Sequence, residues 1–262
     1  EPLVRRDMFE LLENLRDLKV KSDFKIALTT NGTVLFDKLA KLKQNGVSLI
    51  NINLDTLNSK KFHKINGKDK FQDVINSVEV AINYGFENIK INCLVIRGIN
   101  DDEIPHFAAF AYLKNINVRF IEYSSYRSNL RNDREFIPVH EIKDIIEREH
   151  NIRLIDESRN EVCENYSIHG SRGTLSFISS VSYNFCDSCN RIRITSDGHL
   201  KLCLFSNRSS DLNLKPLLRD KKYTDNDICR IMEGIIRIKK LQPPPVEEII
   251  NLKTTNKIAF GN

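Results

Sequence analysis

The chain has 262 residues, enough for one large domain or two small ones and for a core that needs no disulfide staples. With 40% hydrophobic and 29% charged residues, it has the composition of a soluble globular protein and not of a disordered one. No apolar run approaches 18 residues and no secretory segment opens the chain, while a net charge of +5, less than a nucleic-acid-binding domain usually concentrates, fits a few Arg or Lys for a phosphorylated small molecule equally well and does not decide by itself.

Because the first residue is Glu1 and not Met, the chain reads as a fragment or a processed product. Apolar spacing at Met8, Leu11, Leu12, Leu15 and Leu18 predicts a helix over 7–19. A strand from Phe24 to Thr30 stops at the turn dipeptide Asn31-Gly32, a helix follows over 35–44, and Val47 to Leu54 is the next strand. Two helices over 57–65 and 71–84 come next, the second closed by Gly85. Ile89 to Ile96 is a third strand, Asp101 to Leu113 a helix capped by Asn100 or Asp101, and Val118 to Tyr123 a fourth strand. Strands alternating with helices predict βα units on a parallel sheet, with ligands at the C-terminal strand ends.

After Pro138 the pattern changes. A helix over 139–149 precedes short strands near 152–156, 164–168 and 173–179. A hairpin follows (Arg191 to Thr195, turn Ser196-Asp197-Gly198, His199 to Leu204), then a helix over 225–239. Pro243-Pro244-Pro245 ends that helix and begins a tail. Positive charge clusters only in this tail and at residues 237–240, with no aromatic platform beside it.

The cysteines stand at 93, 163, 186, 189, 203 and 229. Unequal spacing and the lack of a secretion signal argue against a disulfide framework. Cys186-x2-Cys189 turns two sulfurs toward one centre, and a hairpin returns Cys203 to them. Zinc would need a fourth ligand from His199, His169 or Cys163. An iron–sulfur cluster can rest on three thiolates with one iron open. Three free thiols are the remaining alternative. Cys93, Cys163 and Cys229 read as buried small apolar residues.

Arg191 and Arg193 alternate on the strand after Cys189, so their guanidinium groups project together and suit a di- or triphosphate. Lys90 interrupts an apolar strand. It calls for an anion at the strand end or a carboxylate such as Glu122 on the neighbouring strand.

The block Phe185-Cys186-Asp187-Ser188-Cys189-Asn190-Arg191-Ile192-Arg193-Ile194-Thr195-Ser196-Asp197-Gly198-His199-Leu200, continuing through Leu202-Cys203-Leu204-Phe205, resembles the C-terminal cluster motif of the GTP 3′,8-cyclase family of molybdenum-cofactor biosynthesis. That family belongs to the radical S-adenosylmethionine enzymes. Upstream, Glu1-Pro2-Leu3-Val4-Arg5-Arg6, Leu28-Thr29-Thr30-Asn31-Gly32, Asn51-Ile52-Asn53-Leu54-Asp55-Thr56-Leu57, Lys90-Ile91-Asn92, Arg97 to Glu103 and Arg119-Phe120-Ile121-Glu122-Tyr123 match in order, so the resemblance runs to about residue 220.

The resemblance implies an α/β fold. Residues 1–137 would form a partial TIM-type (βα) barrel missing its first strands, 138–240 a C-terminal α+β extension binding cluster and GTP, and 241–262 a tail. It implies a [4Fe–4S] cluster on Cys186, Cys189 and Cys203 whose open iron takes the guanine of GTP. The triphosphate would lie on Arg191, Ile192 and Arg193, with Thr29 and Lys90 as further GTP contacts. The family's two S-adenosylmethionine residues, a Ser and a Met, fall on Asn53 and Ser124. A second [4Fe–4S] cluster cleaves S-adenosylmethionine in the family, and the radical formed acts on the GTP ribose.

This sequence departs from the family in lacking the N-terminal CxxxCxxC motif, the N-terminal GTP arginine, the two glycines expected before Glu1 and the C-terminal diglycine. The reading is therefore a chain that holds the second cluster and GTP weakly and makes no radical, with Phe24–Thr30 as an exposed edge strand. The expected partners are GTP, a companion cyclic pyranopterin monophosphate synthase and a second copy in a homodimer, without nucleic acid or membrane. The expected compartment is the cytoplasm, or the mitochondrial matrix in a eukaryote. A zinc-stapled nucleotide-binding module without catalysis is the alternative, and a relic without function is a third reading.

Overall fold

The computed structural model describes residues 1–123, 134–156, 163–179, 182, 189–203 and 211–241. A 3-10 turn (Pro2–Val4) leads into α1 (Met8–Lys19), then β1 (Ile26–Thr30), a 3-10 turn over Phe36–Lys38 continued by α2 (Leu39–Gln44), and β2 (Val47–Asn53). Next come α3 (Ser59–Asn66), α4 (Phe71–Asn83), β3 (Asn88–Val95), α5 (Ile104–Lys114), β4 (Asn117–Glu122) and α6 (Val139–Glu147). The second half holds β5 (Ile152–Asp156), β6 (Glu164–Ile168), β7 (Thr174–Ile178), β8 (Arg193–Ile194), β9 (His199–Lys201), β10 (Leu212–Asn213), α7 (Leu214–Arg219) and α8 (Asp225–Leu241).

One sheet takes seven strands in the order β1-β2-β3-β4-β7-β6-β5, and a small antiparallel sheet takes β10-β9-β8. Strands β1 to β4 and β7 run parallel, β6 returns antiparallel to β7, and β5 pairs antiparallel with β6. The predicted α/β architecture is therefore present as a mostly parallel sheet. Among the described residues, β1 is one of the two outer strands, as expected for an edge, and β5 is the other.

Alternation along the strands decides which face is core. In β3, Ile89, Ile91, Cys93 and Val95 are buried while Lys90, Asn92 and Leu94 are half-buried on the other face. The same face of β4 buries Val118 and Phe120. Helices α2, α4, α5 and α6 cover it with Leu39, Leu42, Val74, Val78, Ala81, Phe107, Ala108, Ala111, Ile142 and Ile146. Phe120 stacks on Phe177 at 5.7 Å and meets Phe107 edge-on at 6.4 Å.

Local signals end the helices where the sequence places them. Asn58 caps α3 by accepting from the Lys60 and Lys61 amides at 2.9 and 3.1 Å. Gly85 takes the left-handed conformation after α4 (φ 66°), which costs a glycine nothing. Thr224 and Asp227 exchange side-chain and backbone bonds at the start of α8.

Two readings need correction. Asn100 does not cap the following helix with its side chain; it binds neighbouring strand-end carbonyls instead. Cys229 is exposed and Cys163 half-buried, so of the three cysteines read as core only Cys93 lies there. Strand β10 and helix α7 lack a predicted counterpart. Both are too short to show a periodicity.

Candidate active site

The face of the large sheet opposite the helices is polar in two consecutive rows. Register pairs Thr29 with Asn51, Asn51 with Lys90, Lys90 with Asn117 and Asn117 with Thr174. One step toward the C-terminal strand ends, Asn53, Asn92, Arg119, Ser176 and Asn165 stand side by side. Side-chain bonds run along both rows. Asn51 donates to Thr29 Oγ1 at 3.1 Å, and Asn92 Nδ2 donates to Asn53 Oδ1 at 3.0 Å. Asn117 donates to Thr174 Oγ1 and Ser176 Oγ at 2.8 Å each, and Ser176 passes the chain on to Asn165 Oδ1 at 2.7 Å. A parallel sheet ordinarily reads apolar on both faces, so rows of this kind mark a surface built to meet a polar ligand.

Lys90 therefore belongs to the polar rows. Glu122, considered as its carboxylate partner, lies on the opposite face, because Lys90 and the Glu122 partner Val95 are an odd number of residues apart. Glu122 there accepts from the Val139 amide and from the Ser182 amide and hydroxyl, at 2.9, 2.9 and 2.6 Å.

The loops at the C-terminal strand ends are tied together from beneath. Glu1 accepts from Thr30 Oγ1 at 2.9 Å and from the Asn31 amide at 2.7 Å. Asn100 Nδ2 donates to the carbonyls of Asp55 and Leu94 at 2.7 and 2.8 Å, and its Oδ1 accepts from the Ile96 amide at 2.8 Å. Glu103, only 5% exposed, accepts from Thr56 Oγ1 and the Leu57 amide at 2.7 Å each and pairs with Lys61 at 3.1 Å. Burial pushes the Asp55 carboxyl up, against the Leu94 amide it accepts from at 2.9 Å. The Cys93 thiol goes well up as well, from burial first and then from the charges of Asp55 and Glu103, and is inert as a nucleophile.

Arg193 lies in β8 of the small sheet, with Cys189 and Arg191 just before that strand and Cys203 just after β9. Register pairs Arg193 with Lys201, so Cys189 and Arg191, which precede β8, and Cys203, which follows β9, leave the hairpin at the same end. Thr195 holds the turn: its amide donates to the His199 carbonyl and its Oγ1 accepts from the His199 amide, both at 2.9 Å. Burial and the Arg191 charge lower the Arg193 guanidinium, while Cys189 and Cys203 act in the opposite sense, so both sulfurs lie in its field. Burial would raise the Cys189 thiol, but the Arg191 amide, the Lys239 ammonium and the Arg191 charge outweigh it and lower the thiol. A thiol biased toward thiolate is the donor that iron or zinc requires, so the residues present fit a thiolate-held centre. Cys186 and Ser124 lie outside the described residues, and among the described residues no three metal-binding side chains converge.

Comparison with known proteins adds to this geometry. Residues 1–111 match the model of the Radical SAM superfamily and residues 116–243 that of Molybdenum Cofactor Synthesis C. The chain is 35% identical to the GTP 3′,8-cyclase of Marinobacter nauticus, over 93% of this chain and 72% of that one. The chain belongs to the GTP 3′,8-cyclase family.

Other family members extend the likeness. Molybdenum cofactor biosynthesis protein 1 of Dictyostelium discoideum is 37% identical across 100% of this chain and 41% of its own. The mitochondrial GTP 3′,8-cyclase of Arabidopsis thaliana is 36% identical across 98% of this chain and 64% of its own. The chain thus spans about two fifths and just under two thirds of these two relatives. Streptococcus suis SuiB, solved with S-adenosylmethionine, superposes with a TM-score of 0.56 at 15% identity, over 88% of this chain and 54% of that one, a likeness of fold. Among the described residues, no helix is long and apolar enough to cross a membrane.

Thr29 and Lys90 share one row of the polar face and Asn53 the next, whereas Arg193 lies in the small sheet, with Cys189, Arg191, Ile192 and Cys203 flanking its hairpin strands. Residue-by-residue reading missed the Asn92–Arg119 part of the polar row, although alternation of polar and apolar residues in both strands carries that signal. It missed Lys239, whose exposed-looking helix offers no such signal.

Proposed function

We propose that this chain is the GTP-binding part of a GTP 3′,8-cyclase of molybdenum-cofactor biosynthesis, the enzyme that converts GTP to (8S)-3′,8-cyclo-7,8-dihydroguanosine 5′-triphosphate. Supporting this reading above all is the hairpin that returns Cys203 toward Cys189 with Arg193 in the field of both sulfurs. In this reading Cys186, Cys189 and Cys203 hold a [4Fe–4S] cluster, which supplies an open iron to the guanine. Arg191 and Arg193 grip the triphosphate through paired N–H forks, with the Ile192 backbone between them. Thr29 and Lys90 contact the nucleotide from the inner face of the sheet, and Lys90 supplies a positive charge in a half-buried row. Asn53 and Ser124 border S-adenosylmethionine.

Two functional parts, 1–137 and 138–240, with a tail over 241–262, follow the change of pattern after Pro138. The product passes to a companion cyclic pyranopterin monophosphate synthase, and two copies associate as a homodimer. The chain makes no radical by itself, because no CxxxCxxC occurs within residues 1–262.

Iron, acid-labile sulfide and zinc per chain after anaerobic reconstitution test the reading, in wild type and in a Cys186/Cys189/Cys203→Ala variant. About four iron and four sulfide, lost in the variant, are expected for a [4Fe–4S] centre. One zinc without sulfide would overturn it in favour of a zinc-stapled nucleotide-binding module.

A further inference from the structure

The basic run at 237–240 is a charged cluster of the sequence that the reading above leaves unused. Helix α8 turns one of its members inward. Lys239 Nζ lies 3.4 Å from Cys189 Sγ, across 50 residues of chain, and donates also to the Arg191 carbonyl. One ammonium thus holds both ends of the three-residue segment Cys189-Asn190-Arg191. A lysine placed against a sulfur gains most when that sulfur is a thiolate, because the bond is then charge-assisted and both partners are partly desolvated.

We infer that Lys239 is a positioning residue for the centre on this hairpin: its ammonium braces the Cys189 sulfur and the Arg191 carbonyl, setting the Arg191 fork and favouring the reduced state of an iron–sulfur cluster held there. The inference rests on the cluster reading proposed above. A [4Fe–4S]2+ core on three thiolates carries one net negative charge, and reduction adds a second. A fixed cation at a ligand sulfur stabilises the more negative state and raises the potential. Arg191 and Arg193 would act in the same sense, but their forks are required for the triphosphate. Lys239, already committed to Cys189 and the Arg191 carbonyl, acts on the cluster whether or not nucleotide is bound.

The test uses the full chain, reconstituted anaerobically as wild type, Lys239→Met and Lys239→Arg. Iron content is measured first, then the cluster midpoint by a spectroscopically followed redox titration, then the rate of iron loss to a chelator. In Lys239→Met the midpoint should move negative, with the reduced-to-oxidised ratio at the wild-type midpoint falling about tenfold, and iron should leave several-fold faster. Lys239→Arg, which keeps the charge, should recover most of both. A wild type that takes up no iron would overturn the cluster reading and this inference with it. Wild type and Lys239→Met that load equally with the same midpoint and release rate would overturn the inference alone, as would a defect that Lys239→Arg shares in full. Should Lys239→Met fail to fold by thermal melting, Lys239→Gln carries the same measurements.

Discussion

Asn100 donates its side-chain amide to the Asp55 carbonyl at 2.7 Å, joining the loop after β2 to the loop after β3 across 45 residues of chain. The same amide reaches the Leu94 carbonyl, and its oxygen receives the Ile96 amide. At 2% exposure no water can substitute for it. Asn100→Ala should cost about 3 kcal/mol, since an unpaired buried polar group costs ~1–3 kcal/mol and three groups lose this partner, with partial relaxation. The urea midpoint checks it; a change below half a kilocalorie would show that the loops do not depend on this residue.

Asp55 itself makes stability depend on pH. Burial raises its folded value above the unfolded one, so the folded chain holds that proton more tightly. The contribution is full at acid pH, below the unfolded value, and is lost as pH rises through the unfolded and then the raised folded value. Asp55→Asn keeps an oxygen for the Leu94 amide and removes the charge. Its melting temperature, relative to wild type, should climb with pH across that window. A difference constant with pH would refute the buried-carboxyl account.

Gly173 fits where α5 passes the start of β7. A Cβ added there would lie 2.1 Å from the Ala111 carbonyl oxygen, a backbone atom that cannot swing aside. Gly173→Ala should therefore force helix and strand apart and cost roughly 3 kcal/mol, the upper range for overpacking. Thermal unfolding reads this directly, and an unchanged melting temperature would mean that the two elements separate freely.

Arg193 carries a prediction that depends on the proposed function. Arg193→Ala should weaken GTP binding at least tenfold, since a bond to a charged group contributes ~1.5–3 kcal/mol and 1.4 kcal/mol is a factor of ten. Arg193→Lys should recover only part, lacking the bidentate fork. Equilibrium dialysis with radiolabelled GTP is the measurement; equal affinity for GTP and guanosine in the wild type would remove the triphosphate from the site.

Much of the fold is legible locally. Four βα units, the helix over 139–149 and the turn at Ser196-Asp197-Gly198 are written in hydrophobic periodicity and turn residues, which act over a few neighbours. The run of cysteines and arginines at the hairpin is legible for the same reason, because its spacing is itself local. The Asn100 cap was misread because its side chain prefers carbonyls brought to it by another strand end, a choice that no local signal contains.

By itself the sequence determined most of the helices and strands, the family, and the residue types of the hairpin, since all three depend on residue type and short-range spacing. The tertiary structure alone decided that Lys90 and Glu122 stand on opposite faces, and that Thr29 and Lys90 share a row with Asn51 and Asn117. It alone brought Lys239 back to Cys189. Strand register and helix docking set these relationships by excluding water from one particular face, and that energy is a sum over contacts between residues distant in the chain.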